Sequence, residues 1–285
     1  MGLDKFYTQD KVSKQCLDFL YKHLNIPNDV VFLEPSAGAG SFINHLSNEY
    51  IALDIKPEDE RIEEQDFLIY STAKTDFVTI SSPPCGNRPK LAIEFFNKAA
   101  LISEVIAFIV PVSFMKWNVQ KELSSDFALL NYFYLIPESF TSEGKPYSVR
   151  TVFQIWVKKG SQYDKGINLR LTKAPPISHK DFNIWQYNAT PEAVKYVEEK
   201  WKYATYRQGY HDYNQLFTRD DYEYIKEKMT GTKKQQFFFI EPLTEEAEEI
   251  IKKMDFNALA ERNTATPGFG KGDFVSYYIE LKNKI

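Results

Sequence analysis

The chain has 285 residues, 43% of them hydrophobic, and a formal net charge of −4. That suits one large domain, or a domain with a smaller appendage, and argues against a broadly basic nucleic-acid coat while leaving room for a local basic groove. Two cysteines, Cys16 and Cys85, exclude a disulfide framework or a four-cysteine metal centre, and His23, His45, His179 and His211 lack ligand spacing, so no metal is expected.

Residues 9–25, "QDKVSKQCLDFLYKHLN", place Val12, Cys16, Phe19, Leu20 and Leu24 at helical spacing, with Cys16 as a small core residue. "DVVFLE" (29–34) is a short strand ending at an acid; "PSAGAGSF" follows, then a helical pattern, "INHLSN". "YIALD" (50–54) and "DFVTIS" (76–81) are further buried-type strands, "RPKLAIEFFNKAALI" (88–102) a helix, and "VIAFIV" (105–110) a strand closed by Pro111. "LLNYFYLI" (129–136) and "TVFQIWV" (151–157) suit antiparallel pairing. Alternating strands and helices predict an α/β fold with a doubly wound, mostly parallel sheet over residues 1–160. A turn-rich linker, "TKAPPISHK" (172–180), leads to a smaller α+β region within 161–285, with helices around 190–203, 219–229 and 243–255 and one aromatic strand, "QFFFI" (236–240). The chain has no signal peptide and no apolar run of membrane-spanning length, which predicts a soluble, intracellular, cytoplasmic protein without membrane contact.

The stretch "FLEPSAGAGSF" (32–42) is a strand, a tight turn and an element start. Gly38 and Gly40 lack a Cβ, so backbone there can approach a ligand. Asp54 is the next strand-end acid after Glu34, at the separation from which a carboxylate holds a ribose hydroxyl pair. In "QDF", Asp66 is placed to accept from an exocyclic amine and Phe67 to cover a purine face. The turn is not G-x-G-x-x-G, which disfavours a pyrophosphate dinucleotide, and no G-K-[ST] follows, which excludes a Walker loop.

With these residues the chain resembles class I S-adenosylmethionine-dependent methyltransferases of the adenine-N6 type. "DKFYTQDKVSKQCLDFL" is similar to that family's N-terminal cofactor segment, with Tyr7 and Thr8 as its Tyr-Thr pair, and "LEPSAGAGSF" to its cofactor loop. The resemblance covers roughly residues 4–157 and implies a Rossmann-like fold with S-adenosyl-L-methionine as cofactor. Tyr7, Thr8, Glu34, Pro35, Ser36, Ala37, Gly38 and Gly40 would surround it, with Asp54 and Ile55 at the ribose, Asp66 and Phe67 at the adenine, and Ser82 beside the reacting end.

"SPPC" (82–85) stands where the family carries Asp, Asn or Ser, then Pro-Pro, then an aromatic. An adenine amine is a poor nucleophile, because its lone pair is delocalised into the ring. Two fixed acceptors, the Ser82 side chain and the Pro83 carbonyl, favour a tetrahedral nitrogen, and consecutive prolines hold that carbonyl at a set angle. Ser82, Pro83, Pro84 and Cys85 are therefore the catalytic candidates. Cys85 replaces the stacking ring, a face worth about 1–3 kcal/mol per base, which Phe114 or Trp117 is placed to restore. Cytosine-C5 methyltransferases also use a cysteine after proline, but the acid they need is missing from "VIAFIVPVSFM". In the second region, "WKYATYRQGYHDYNQLF" (201–217) interleaves tyrosines with Arg207 and reads either as base stacking through Tyr206 with cationic help or as a packed aromatic cluster. Lys233 and Lys234 offer phosphate contacts or a solvated turn. Lys271, in the glycine-rich "TATPGFGKGD" (264–273), either covers a substrate cleft or marks a chain reversal. The expected activity is methyl transfer to the N6 amine of adenine in nucleic acid, DNA before RNA. The alternatives are a catalytically degenerate nucleic-acid-binding subunit and a cytosine-C5 enzyme using Cys85.

Overall fold

The computed structural model describes residues 7–84, 89–136, 138–142, 144–263 and 266–284. The chain separates into two compact units, Met1–Lys173 and Ala174–Ile285.

In the first unit, β1 (Tyr7–Thr8) and α1 (Asp10–His23) precede β2 (Phe32–Glu34), β3 (Tyr50–Asp54), β4 (Glu63–Glu64) and β5 (Phe77–Ser81). Then come α2 (Lys90–Ala99), β6 (Ser103–Pro111), α3 (Trp117–Gln120), β7 (Phe127–Tyr134), β8 (Phe140–Ser142), β9 (Lys145–Tyr147) and β10 (Thr151–Lys158). Seven strands form one sheet in the order β4-β3-β2-β5-β6-β10-β7. β10 runs antiparallel to both β6 and β7, while the other strand pairings of this sheet are parallel. This is the doubly wound, mostly parallel sheet that the strand–helix alternation predicts.

Its strands are apolar on both sides because helices cover both faces. On one face Val105, Ala107 and Ile109 of β6 meet Val12, Cys16, Leu17 and Leu20 of α1. On the other, Ile106, Phe108 and Val110 meet Ala92, Phe95, Phe96 and Ala99 of α2. Burying each larger aliphatic or aromatic side chain contributes about 1.5–3 kcal/mol.

One sequence expectation changes in this unit. "INHLSN" does not form a helix; a single 3₁₀ turn, Ile43–His45, follows the glycine turn. The chain must re-enter the sheet at Tyr50, and the Asn48 amide anchors it by donating to the Pro27 and Val30 carbonyls at 2.9 and 3.2 Å. The boundary, expected between 160 and 178, lies at 173/174. Residues beyond 160 dock along β7, where the Leu169 N–H donates to the Leu129 carbonyl at 2.8 Å. The Arg170 guanidinium donates to the carbonyls of Gln120, Leu123 and Ser124, one at 2.5 and two at 2.6 Å, and lies 5.7 Å from the Trp156 ring.

The second unit is built on β11 (Phe182–Tyr187), β12 (Tyr203–Gln208) and β13 (Gln236–Pro242), in the antiparallel order β11-β13-β12. Helices α4 (Tyr222–Thr230), α5 (Glu245–Lys253), α6 (Phe256–Ala260) and α7 (Lys271–Lys282) accompany it, and the expected helix near 190–203 is a 3₁₀ stretch, Pro191–Glu198. Phe237, Phe238, Phe239 and Ile240 of the central strand are fully buried, so both faces of this sheet are covered. Buried Asp181 ties α7 to the start of β11, accepting from Tyr278 Oη at 2.8 Å and Lys282 Nζ at 2.7 Å. The ammonium of Lys282, then the Tyr278 hydroxyl, hold its carboxyl below the usual range. Among the described residues no helix is long and apolar enough to cross a membrane, and no cluster of His, Cys, Asp and Glu has the arrangement to hold a metal.

Candidate active site

In the first sheet β3 lies on one side of β2 and β5 on the other. The connections leaving the carboxyl ends of β2 and β5 therefore diverge, which opens a crevice at the place where doubly wound sheets hold ligands. The turn after β2 enters that crevice. Gly38 and Gly40 have φ of 56° and 82°, left-handed values that favour glycine. A Cβ on Gly40 would also sit 3.1 Å from Ile43 Cδ1.

Asp54, at the end of β3, secures the turn. Its Oδ2 accepts from the Gly38 N–H and its Oδ1 from the Lys56 N–H, both at 2.8 Å. A carboxylate has about four acceptor positions, so these two bonds leave room for hydroxyl donors. The Ala37 N–H donates to the Leu53 carbonyl at 2.9 Å, and the Glu58 N–H to the Gly38 carbonyl at 3.0 Å. Pro35 and Ala37 are buried and Ser36 is half-buried, so the turn presents mainly backbone.

Glu34 is 1% exposed, and its Oε2 has no hydrogen-bond partner. Burial pushes its carboxyl well above the ordinary range; the Ile43 backbone N–H partly offsets this, and the nearby Asp54 charge adds to the rise. A buried carboxylate oxygen without a donor is costly, on the order of 1–3 kcal/mol or more. It marks a place that a donor-bearing ligand would satisfy.

Beyond Asp54, Ile55 is 52% exposed and offers an apolar face. Asp66 is exposed, and its Oδ1 caps the next turn by accepting from the Leu68 N–H at 2.9 Å. Phe67 is not a cover for a purine: it is 1% exposed and packs against Phe95 with ring centroids 5.3 Å apart. The sequence points to it because an aromatic follows the acid, but the 3₁₀ turn Phe67–Ile69 directs that ring into the core. Ile55 offers an exposed apolar side chain next to Asp54.

Tyr7 and Thr8 reach the same crevice from the N-terminus. Thr8 is buried; the Tyr7 ring lies over Gly38, and its hydroxyl donates to Glu58 Oε1. Glu58 is a site residue the sequence reading missed. Its place depends on β1 pairing with β8 more than 130 positions away, and no local pattern encodes that.

At the end of β5, Ser82 is half-buried, Pro83 buried and Pro84 exposed, while Cys85 lies outside the described residues. The adjacent Ser81 is fully buried, with an Oγ that has no partner. Phe114 does not restore a stacking ring, being fully buried in the core above α2. Trp117 is half-buried, with Lys121 Nζ 5.0 Å from its ring.

The second unit's candidates divide. Tyr206 is 6% exposed, stacked on His211 at 3.9 Å and on Phe237 at 5.1 Å, with its hydroxyl 3.2 Å from that of Tyr224. Arg207 is half-buried and donates to Gln236 Oε1. Both belong to a packed cluster, so the base-stacking reading of Tyr206 gives way. Tyr203, Ala204, Thr205 and Tyr206 of β12 are all buried, so Tyr206 is part of the core. Lys233 and Lys234 are exposed on the turn before β13. Lys271 opens α7 half-buried, and burial pushes its ammonium pKa down. The loop before it is pinned to β12, with the Phe269 N–H donating to the Arg207 carbonyl at 3.1 Å and the Gly209 N–H to the Pro267 carbonyl at 3.0 Å. It reverses the chain.

No protein-family model matches the chain, and none of the curated proteins matches it. Among solved structures, a protein of Pyrococcus horikoshii thought to be an RNA methyltransferase is 17% identical, with a TM-score of 0.45 over 55% of this chain and 87% of that one. The methyltransferase subunit of a type I restriction-modification system from Streptococcus thermophilus is 14% identical, with a TM-score of 0.43 over 61% of this chain and 51% of that one. Magnesium protoporphyrin IX methyltransferase from Synechocystis, solved with bound S-adenosylmethionine, is 9% identical, with a TM-score of 0.38 over 53% of this chain and 79% of that one. Likeness at this level adds nothing to what the strand order itself establishes: the first unit is a doubly wound, mostly parallel α/β fold with a topological switch point between β2 and β5.

Proposed function

We propose that the chain is an S-adenosylmethionine-dependent methyltransferase acting on the N6 amine of adenine in nucleic acid, DNA before RNA. The observation that carries this reading is Glu34, a buried carboxyl group with one oxygen lacking any donor beside the glycine turn. The surroundings narrow the ligand. Asp54, Glu58 and Asp66 also border the crevice, and the Arg61 guanidinium is committed to Asp59 through Nε–Oδ1 at 2.9 Å and Nη2–Oδ2 at 2.6 Å. The glycine turn runs into one 3₁₀ turn, so the connection after β2 offers no helix N-terminus to hold a pyrophosphate. An acid-lined, helix-free turn suits a cationic, phosphate-free cofactor with ribose hydroxyls.

In this reading Asp54 holds the ribose, Asp66 accepts from the adenine amine, Ile55 covers the ring, and Glu34 receives the cofactor's cationic end. The bound cofactor supplies an electrophilic methyl group. Ser82 and the Pro83 carbonyl accept from the two N–H groups of the target amine and direct its lone pair; the proton leaves to solvent afterwards, so no strong base is required. The target base must be taken from a single strand or turned out of a duplex. Trp117, with Lys121 beside it, is the candidate stacking ring. In the second unit, Lys233 and Lys234 are the candidate phosphate contacts.

The test is incubation with isotopically labelled cofactor and separate DNA and RNA pools, followed by nucleoside mass spectrometry. Labelled N6-methyladenine, in deoxy or ribo form, is the expected product. Label in 5-methylcytosine, with a covalent adduct to a 5-fluorocytosine substrate, would replace this reading with Cys85 chemistry. Cofactor binding without transfer to either pool would favour a degenerate binding subunit.

A further inference from the structure

Tyr7 is held at both ends. Its backbone pairs with Thr141 of β8, and the next residues follow suit: the Gln9 N–H donates to the Ser139 carbonyl at 3.1 Å and Gln9 Nε2 to the Glu138 carbonyl at 2.8 Å. That segment belongs to the connection between β7 and β10. β7 is aligned with the parallel strands, so the connection leaves from the same carboxyl edge as the glycine turn. At its other end the Tyr7 ring covers Gly38, and a Cβ built there would lie 3.6 Å from two ring carbons. The hydroxyl donates to Glu58 Oε1, while the Glu58 N–H donates to the Gly38 carbonyl at 3.0 Å. Glu58 therefore grips the glycine turn with its backbone and the tyrosine with its side chain.

We propose that Glu58 is a positioning residue whose hydrogen bond to Tyr7 keeps the N-terminal strand closed over the glycine turn and sets how long the cofactor stays bound. The proposal rests on the methyltransferase reading of this crevice. Glu58 is exposed, so it positions Tyr7 rather than filling the core. A ligand seated against the turn leaves once the ring swings away. Weakening the bond therefore raises the dissociation rate and leaves association nearly unchanged. The strap also joins the cofactor turn to residues 138–142, so a bound cofactor should order both.

The experiment measures cofactor dissociation by stopped flow and affinity by calorimetry on the full chain, for the wild type, Tyr7→Phe, Glu58→Gln and the double variant. Both single substitutions keep side-chain shape, and thermal melts check that the fold persists. Each single variant should release cofactor about tenfold faster, as expected for a bond to a charged group. The double variant should be no worse than the weaker single, since both remove the same bond. The KM for cofactor should rise in each single variant. Hydrogen exchange should show cofactor-dependent protection at residues 8–9 and 139–142 in the wild type and less in Glu58→Gln. Wild-type release rates in both single variants, or additive losses in the double, would overturn the proposal. A wild-type chain with no affinity for the cofactor would overturn the methyltransferase reading itself, and this proposal with it.

Discussion

The turn after β2 and the aromatic segment around β12 are both places where chemistry-bearing residues crowd together in the sequence, and they differ in what is left unmet. Beside the turn, Glu34 Oε2 is buried without a donor, Ser81 Oγ at the end of the neighbouring strand is in the same condition, and two glycines hold left-handed backbone. In the aromatic segment the tyrosine hydroxyls are supplied. Tyr203 donates to Glu248 at 2.7 Å, Tyr206 meets Tyr224, and Tyr213 donates to the carbonyls of Gly209 and Pro267 at 2.6 and 2.8 Å. Arg207 Nε is an exception, but the same guanidinium bonds Gln236. An interior at rest satisfies its polar groups, whereas a site for a ligand keeps some waiting. Residue type alone does not separate the two.

The largest expected effect is on the packed region. Tyr206→Ala deletes a buried ring stacked on His211 and Phe237 and should cost about 3–5 kcal/mol of stability in the second unit. Hydrogen exchange across β11–β13 measures this directly, and cofactor affinity in the first unit should not change. Loss of nucleic-acid affinity with stability intact would restore the base-stacking reading. At the other region, Ser82→Ala removes one of two proposed acceptors and should lower the methyl-transfer rate about 10²–10³-fold, by analogy with the loss of a single oxyanion donor. Cys85→Ser should keep measurable transfer. The reverse ranking of these two variants would point to a thiolate mechanism.

Asp54→Ala withdraws the acceptor of the Gly38 and Lys56 N–H groups together with the proposed ribose contact. Cofactor binding should weaken by about 1.5–3 kcal/mol, the range for bonds to a charged group. Unchanged affinity by calorimetry in a folded variant would remove Asp54 from the site. Glu34 makes a prediction with a sign. Its folded pKa is raised by burial, so the native state holds the proton more tightly than the unfolded chain. The stability this contributes is full below the ordinary value of 4.5 and is lost as pH rises through the raised one. The unliganded wild type should therefore lose stability, relative to Glu34→Gln, as pH is increased from 4.5. Added cofactor should restore the wild type more than the variant. Parallel pH profiles for the two proteins would mean that Glu34 is already satisfied.

The sheet was legible because a strand buried on both faces must be apolar throughout, as in "VIAFIV", and because Glu34 and Asp54 end strands, Ser82 follows one and Gly38 and Gly40 lie in the turn after β2. The failures have local causes. The helix expected from "INHLSN" is displaced by the short return to β3. Phe67 and Phe114 were assigned to ligand faces because aromatic residues near polar motifs look alike whether they turn in or out; turn geometry sends both inward. The strand in "YATYRQ" was obscured because its tyrosines read as a cluster before they read as a strand, and its first four residues are all buried. Glu58 and Ser81 carry no signature at all, since their significance arises from contacts or missing contacts that exist only after folding.

The smallest expected effect belongs to Lys233 and Lys234, which stand exposed on the turn before β13. Replacing both with alanine touches no buried group, so stability should stay within about 0.5 kcal/mol. Their proposed role is electrostatic, and its signature is salt dependence rather than affinity at one condition. If each neutralises a phosphate, the double variant should bind nucleic acid less than about tenfold more weakly. The slope of log affinity against log salt should shallow by about 0.9 per lost contact on duplex, or about 0.7 on a single strand. That pair of values also reports the strand state of the bound substrate. An unchanged slope would make this turn a solvated surface. The search for nucleic-acid contacts would then return to Trp117 and Lys121 in the first unit.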